Sequence, residues 1–243
     1  MLVVSGDWHG DWKAVIGEIK RLDLRDCTLI QVGDFGMGFD PIKKDLATLK
    51  YLNTTLKPRN IQLYAIRGNH DNPTYFDGSI KTSNIKLLPD YSVLTIDGLN
   101  VLCVGGAISI DRKPNPAEFD YRGRPWKGRK EGVNYWPNET FVLKPELLKD
   151  LKNIDIVVTH SAPDFCEPRT KHGLSTWIKA DPGLADECMK ERNDHSKMYD
   201  ILKANDCPLK YWFYGHFHYY KREEFENTEC VLIDINQFYE VRI

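Results

Sequence analysis

The sequence predicts a layered α/β fold built on a largely parallel sheet. Three observations carry this. Short apolar runs of strand length alternate with stretches of helical spacing through the first half of the chain. Fragments bearing Asp, Asn and His recur just after those runs, from Asp7 to His218. The length, 243 residues, with 42% hydrophobic residues, suits one medium or large domain with a substantial core.

Leu2-Val3-Val4 is a short apolar strand. From Asp11 to Lys20, Trp12, Val15, Ile16 and Ile19 recur at helical spacing. Thr28 to Val32 is the next strand. Asp40 offers an N-cap and Pro41 a first helical residue for a helix through Ile42, Leu46, Leu49 and Leu52. Ile61 to Ile66 is a third strand. Val93–Ile96 and Leu99–Val104, joined by Asp97-Gly98, read as a hairpin. Ala107 to Glu139 is rich in Pro, Gly, Arg and aromatics and shows no periodicity. A loop of that length inside a domain is usually functional or mobile. Lys144 to Lys152 reads as a short helix, and Ile154 to Val158 as a strand ending at Thr159-His160. Ser161 to Lys179 is a second long loop. A helix from about Ser196 to Ala204 and a strand over Tyr211–Tyr214 follow. Val231 to Val241 reads as a closing hairpin around Asn236-Gln237. The expected organisation is a single domain over 1–243 with long loops at about 107–140 and 161–180, without internal repeats.

Composition narrows the function. A net charge of −2 gives no overall pull toward nucleic acid or an anionic membrane. No apolar run approaches a membrane span. Met1 to Gly6 is a strand pattern without a leader, so a cytoplasmic protein is expected. Cysteines at 27, 103, 166, 188, 207 and 230 form no CxxC pair. They read as reduced structural thiols, and a zinc-thiolate site is not expected.

Five fragments carry the chemistry: Asp7-Trp8-His9, Gly33-Asp34, Gly68-Asn69-His70-Asp71, His160 and Gly215-His216-Phe217-His218. Five of the seven histidines sit in them. Each follows a predicted strand, and in an open α/β sheet the ligand crevice lies at the carboxyl ends of the strands. Gly6, Gly33, Gly68 and Gly215 permit sharp turns and close approach beside the candidate ligands. Carboxylate, imidazole and amide oxygen suit divalent ions such as Mn, Fe, Zn, Co or Ni, with Mn foremost. Two such ions about 3.5–4 Å apart can clamp a phosphoryl group and activate a bridging hydroxide. His172 and His195 match no motif and read as surface residues. Trp8 and Trp12 read as packing residues.

In this order the fragments resemble the calcineurin-like metallophosphoesterases, small bacterial or phage members in particular, over nearly the whole chain. The resemblance implies a four-layer αββα sandwich with two central mixed sheets. It implies that Asp7, His9 and His218 hold one metal, that Asn69, His160 and His216 hold a second, and that Asp34 bridges them. It makes His70 the general acid for the leaving oxygen or a stabiliser of transition-state charge. Gly105-Gly106-Ala107, Ser109, Asp111-Arg112 and Tyr135-Trp136-Pro137 also look like family elements. One segment departs from the protein phosphatase branch. Over Gly33-Asp34-Phe35-Gly36-Met37-Gly38-Phe39-Asp40, Met37 stands where that branch has a second Asp and Gly38 where it has a phosphate-binding Arg. Asp40 or Asp71 is then left to orient the catalytic His70.

The stretch from Asp111 to Glu131 carries seven Lys and Arg against four acids. The alternatives are a solvated loop and a collar for an anionic substrate, since arginine binds phosphate in a forked geometry. Arg112 is the preferred phosphate contact, beside Asn69; Arg169 and Lys171 are weaker ones. The expected function is a dinuclear-metal phosphoesterase in which a metal-bridging hydroxide attacks phosphorus. A phosphodiester or nucleotide-type small substrate is preferred, and the basic loop keeps nucleic acid open. The alternatives are a phosphomonoesterase or Ser/Thr-type protein phosphatase, and, in another class, a catalytically silent metal-binding scaffold for a protein partner. The sequence does not fix the oligomeric state.

Overall fold

Strands that are apolar on both faces need cover on both faces. In the computed structural model, which describes residues 1–80, 82–168 and 174–242, four layers supply it. The elements run β1 (Leu2–Ser5), α1 (Trp12–Arg21), β2 (Cys27–Gln31), α2 (Ile42–Leu56), β3 (Ile61–Ala65), β4 (Ile85–Leu87), β5 (Ser92–Ile96) and β6 (Leu99–Val104). Then come β7 (Pro114–Phe119), β8 (Pro125–Lys127), α3 (Pro145–Leu148), β9 (Ile154–Thr159), α4 (Leu174–Ala180), α5 (Leu184–Ala204), β10 (Tyr211–Tyr214), β11 (Lys221–Phe225), β12 (Thr228–Leu232) and β13 (Phe238–Glu240).

One sheet has the order β13-β1-β2-β3-β4, parallel except for β13. The other has the order β11-β12-β10-β9-β6-β5, with four parallel inner strands and antiparallel strands at both edges. Alternate residues point to opposite faces, so neighbouring apolar residues enter different cores. Val3 and Leu29 pack with Val15, Ile19, Leu49 and Leu52 of α1 and α2. Val4, Ile30, Val101, Val158 and Phe213 meet between the two sheets. Leu102, Val157 and Trp212 pack with Leu148, Met198 and Leu202 of α3 and α5. Three cores between four layers make the expected αββα sandwich. No helix among the described residues is long and apolar enough to cross a membrane.

Local chemistry sets the first helix. Asp11 accepts from the Ala14 N–H at the N-terminus of α1, and Lys20 and Arg21 face the negative C-terminal end. At α2 the cap is Pro41, without a side-chain hydrogen bond, while Asp40 pairs with Lys44.

Several sequence expectations are corrected. Residues 231–241 do not form a hairpin. The turn at Asp234–Gln237 carries the chain from one sheet to the other, where β13 pairs with β1. The hairpin partner of β12 is β11, whose sequence Lys-Arg-Glu-Glu-Phe is a charged edge strand without an apolar signal. The stretch 107–139 contains a two-stranded arm, β7–β8, hidden by Pro114 and Pro116. The predicted loop to Lys179 contains α4, and α5 begins twelve residues before Ser196. Its buried face includes Glu191, Asp194 and His195 and so breaks the apolar period. His195 is not a surface residue. It is fully buried, stacked on Phe141, with Nδ1 donating to the Glu191 carbonyl.

Candidate active site

All five fragments sit at the carboxyl ends of parallel strands, three in one sheet and two in the other. Asp7 and His9 follow β1, Asp34 follows β2, and Asn69 and His70 follow β3. Across the cleft, His160 follows β9, and His216 and His218 follow β10. The chain turns abruptly at these points. His9, Asp34, His216 and His218 have φ of 45°, 55°, 69° and 50°. A side chain in this left-handed region costs roughly 1–3 kcal/mol, and such residues cluster at functional sites. The site is also tightly spaced. A Cβ at Gly68 would stand 2.1 Å from Asp34 Oδ1 and 2.7 Å from His160 Nε2.

Two overlapping groups of candidate ligands result. In the first, Asp7, His9, Asp34 and His218 each offer one ligand atom, all within 4.8 Å of one another. His9 Nε2 lies 2.9 Å from His218 Nε2, which lies 3.2 Å from Asp7 Oδ2. The Asp7 carboxylate is fixed by the His216 N–H. In the second group, His160 Nε2 is 3.2 Å from Asp34 Oδ1 and 3.1 Å from Asn69 Oδ1, and the His216 ring is 5.0 Å from that of His160.

The donor chemistry fits a cation. His160 Nδ1 is 2.8 Å from the Val32 carbonyl, which can only accept, so Nδ1 carries hydrogen. In a neutral ring Nε2 then presents a lone pair to two further oxygen acceptors. Three electron-rich atoms facing one point need a proton or a metal between them. Accordingly, although burial opposes a charge there, Asp34 and Asp7 raise His160 to about 9. Burial pushes His216 well below its ordinary value and also lowers His9, which keeps their nitrogens free to ligate. Asp34 reaches both groups and is held far below the carboxylate range by His160 and His70 despite its burial.

His70 is anchored by its N–H to Asp34 Oδ1 at 2.7 Å. Its ring does not meet Asp71. That carboxylate is buried and accepts four backbone N–H groups, from Phe35, Gly36, Met37 and Gly68. Asp71 thus ties the loop after β2 to the loop after β3, and Asp40 points to Lys44. The hydrogen-bonding neighbour of the His70 ring is Arg129, whose Nη2 contacts Nε2 and whose Nε is bound by Asp111; the ring of His9 lies 4.9 Å away. Burial lowers His70 to about 4, with Arg129 adding to the shift.

Arg112 is placed elsewhere. Its guanidinium is taken up by Asp181 and Glu187 and does not line the cleft. Arg129 comes from the same basic stretch, but nothing in the sequence set it apart from its six basic neighbours. Only the folding of the β7–β8 arm over the site does so. Arg169, Lys171 and His172 lie outside the described residues.

The site opens into a cavity of about 680 Å³. Asp34, Asn69, His70, Arg129, His216 and His218 line it together with the apolar Ile108, Ile110, Leu174, Trp177, Met189 and Phe217 and the polar Asp164, Glu191, Arg192 and Asn193.

This fold and this cluster of Asp, Asn and His at paired sheet ends define a metal-binding hydrolase of phosphoric esters. A family model described as calcineurin-like phosphoesterase matches residues 1–220, and the chain belongs to that family. The structure is similar to that of TT1561 of Thermus thermophilus, with a TM-score of 0.51 and 11% identity over 97% of this chain and 89% of the other. That likeness concerns the fold. A phosphopantetheinyl hydrolase of Mycobacterium tuberculosis aligns at a TM-score of 0.46 and 13% identity, over 97% of this chain and 89% of that one. No curated protein sequence matches the chain.

Proposed function

We propose that this protein is a dinuclear-metal phosphoesterase acting on a small phosphodiester or nucleotide-type substrate. Asp7, His9 and His218 would hold one ion, Asn69, His160 and His216 the other, and Asp34 both. When bound, two divalent ions neutralise the phosphoryl oxygens and supply the hydroxide nucleophile. The observation that carries the reading is the placement of His70 and Arg129 beside both ligand groups, in a cavity whose lining includes the apolar Ile108, Ile110, Leu174 and Trp177.

The chain's own groups divide the remaining work. A guanidinium can only donate, so Arg129 now caps the His70 Nε2 lone pair. A phosphoryl oxygen is a stronger acceptor than imidazole. Substrate would therefore draw Arg129 onto the phosphate and free His70 Nε2 to take up a proton from solvent and pass it to the leaving oxygen. In this way Arg129 fills the role left open by Gly38. Those apolar side chains suit an ester arm. The basic arm gives little support to a nucleic-acid groove, because Arg112, Arg124 and Arg129 are each bound by acids.

The test is turnover of bis-p-nitrophenyl phosphate and p-nitrophenyl phosphate by Mn²⁺-loaded protein, with His70→Ala as control. The expected result is diester turnover that falls about 10²–10⁴-fold in the variant while metal content is kept. Monoester-only turnover would favour a phosphomonoesterase. Silence on both substrates with two metals bound would favour the scaffold reading.

A further inference from the structure

Three sequence features have no part in the reaction above: the Gly105-Gly106 pair, Ser109, and the turn around Trp136-Pro137. The structure brings them together beside Asn69. A Cβ at Gly105 would lie 2.5 Å from the Arg67 carbonyl oxygen, and one at Gly106 would lie 2.7 Å from that of Glu139. Gly106 also has φ of +100°. The two glycines let the chain leaving β6 run against the segment that carries Asn69. Hydrogen bonds from Gly106 N–H to Arg67 O and from Ala107 N–H to Glu139 O fix that approach.

Ser109, buried, then accepts from Asn69 Nδ2 at 3.1 Å. A carboxamide has a donor end and an acceptor end. With its NH₂ on Ser109, Asn69 turns Oδ1 toward His160 Nε2, 3.1 Å away. Behind Ser109 stands Glu139, with no solvent exposure. Its Oε2 accepts the Trp136 N–H at 3.1 Å, while its buried Oε1 has no hydrogen-bond partner and lies close enough to Ser109 for the hydroxyl to act on the carboxyl. A hydroxyl that accepts from Asn69 still has its own proton to give, and the unpartnered Oε1 of Glu139 is an acceptor left over for it.

We propose that Ser109 and Glu139 are positioning residues that hold the Asn69 amide with its oxygen toward the second metal position. The inference rests on the dinuclear reading. An Asn amide free to turn would offer its NH₂, which binds no cation, for much of the time. Groups that orient a ligand in this manner typically contribute about 10–100-fold to metal affinity.

The test is calorimetric titration of the full-length metal-free protein with Mn²⁺, in wild type, Ser109→Ala, Ser109→Thr and Glu139→Gln. Circular dichroism of the metal-free proteins checks the fold. Wild type is expected to bind two ions. Ser109→Ala should bind one of them as wild type does and the other about 10–100-fold more weakly. Ser109→Thr keeps the hydroxyl and should restore the weaker site. Glu139→Gln should shift the same site by less, and it carries the test if Ser109→Ala does not fold. Two ions bound by Ser109→Ala at wild-type affinity would overturn the relay and leave the dinuclear reading standing. Equal weakening of both ions, or no rescue by Thr, would mark a general structural effect and also overturn it. Wild-type protein that takes up no second ion would overturn the dinuclear reading, and the relay with it.

Discussion

Replacing Asp71 by Asn separates a structural role from a catalytic one. The Asp71 side chain has no solvent exposure. Its Oδ1 accepts from Gly36 N–H at 2.7 Å and Met37 N–H at 3.0 Å, and its Oδ2 from Phe35 N–H at 3.0 Å and Gly68 N–H at 2.8 Å. Asparagine has nearly the same shape but only one oxygen. It can keep one pair of these bonds, and its NH₂ must then face the other pair of N–H groups. A buried donor without an acceptor costs about 1–3 kcal/mol. Two of them predict a loss of roughly 2–6 kcal/mol, a large share of the 5–15 kcal/mol typical of a domain. The assay is urea unfolding of metal-free wild type and Asp71→Asn, followed by far-UV circular dichroism. Activity of the folded, metal-loaded variant is measured in parallel. All four bonds go to backbone, so kcat per folded molecule should change little. A stability loss under about 1 kcal/mol together with a large fall in kcat would refute this reasoning and return Asp71 to the orientation of His70.

Arg129→Ala should lower kcat/KM about 10- to 100-fold, the equivalent of one hydrogen bond to a charged group. Arg112→Ala should leave kcat/KM unchanged and cost about 1–3 kcal/mol of stability, because buried Asp181 loses its closest cation; the reverse pattern would restore Arg112 as the phosphate contact. Saturating Mn²⁺ at about 100 times Kd should add about 2.7 kcal/mol per site, about 5.4 kcal/mol for both, raising Tm by roughly 10–20 °C in scanning fluorimetry. No shift with any divalent ion would sink the metal centre. Burial lowers His195 to about 4 from 6.5, so this group is neutral when folded and protonated when unfolded between those values. Its contribution is full above about pH 6.5 and is lost as pH falls toward about 4, some 3 kcal/mol in all. Glu191, pushed up to about 7 by burial, acts oppositely and loses stability as pH rises through that value. Urea unfolding of wild type and His195→Phe near pH 5 and pH 7 isolates the histidine, since only the wild type should carry this acid loss.

What was legible in the sequence follows from distance along the chain. The strand runs at 2–4, 28–32, 61–66, 154–158 and 211–214 are mostly apolar because both faces of each strand are largely buried, and such runs stand out. The candidate ligands stand directly after those strands, so their gathering follows from sheet topology alone. Where the loops fold is a different matter. Arg129 and Arg112 are 17 residues apart in one basic stretch, and only the β7–β8 arm decides which meets His70. Ser109 and Glu139 come together across 30 residues of chain, and no local pattern encodes it. The first half of α5 was hidden because its buried face holds Glu191, Asp194 and His195, which a hydrophobic period does not count. The closing strand β13 was misplaced because periodicity indicates that a segment is a strand but not which sheet takes it.

The left-handed backbone at His9, Asp34, His216 and His218 bears on how this protein can be improved or worn down. At these positions glycine would relax the chain by about 1 kcal/mol or more and, at Asp34, would also remove a charge from a crowded, desolvated cluster. A library sorted for heat resistance in the presence of a chelator would therefore enrich variants that have discarded their ligands. Sorted with Mn²⁺ present, the same library would discard those variants. The ion supplied during the selection decides whether ruggedness and competence are gained together or traded for one another.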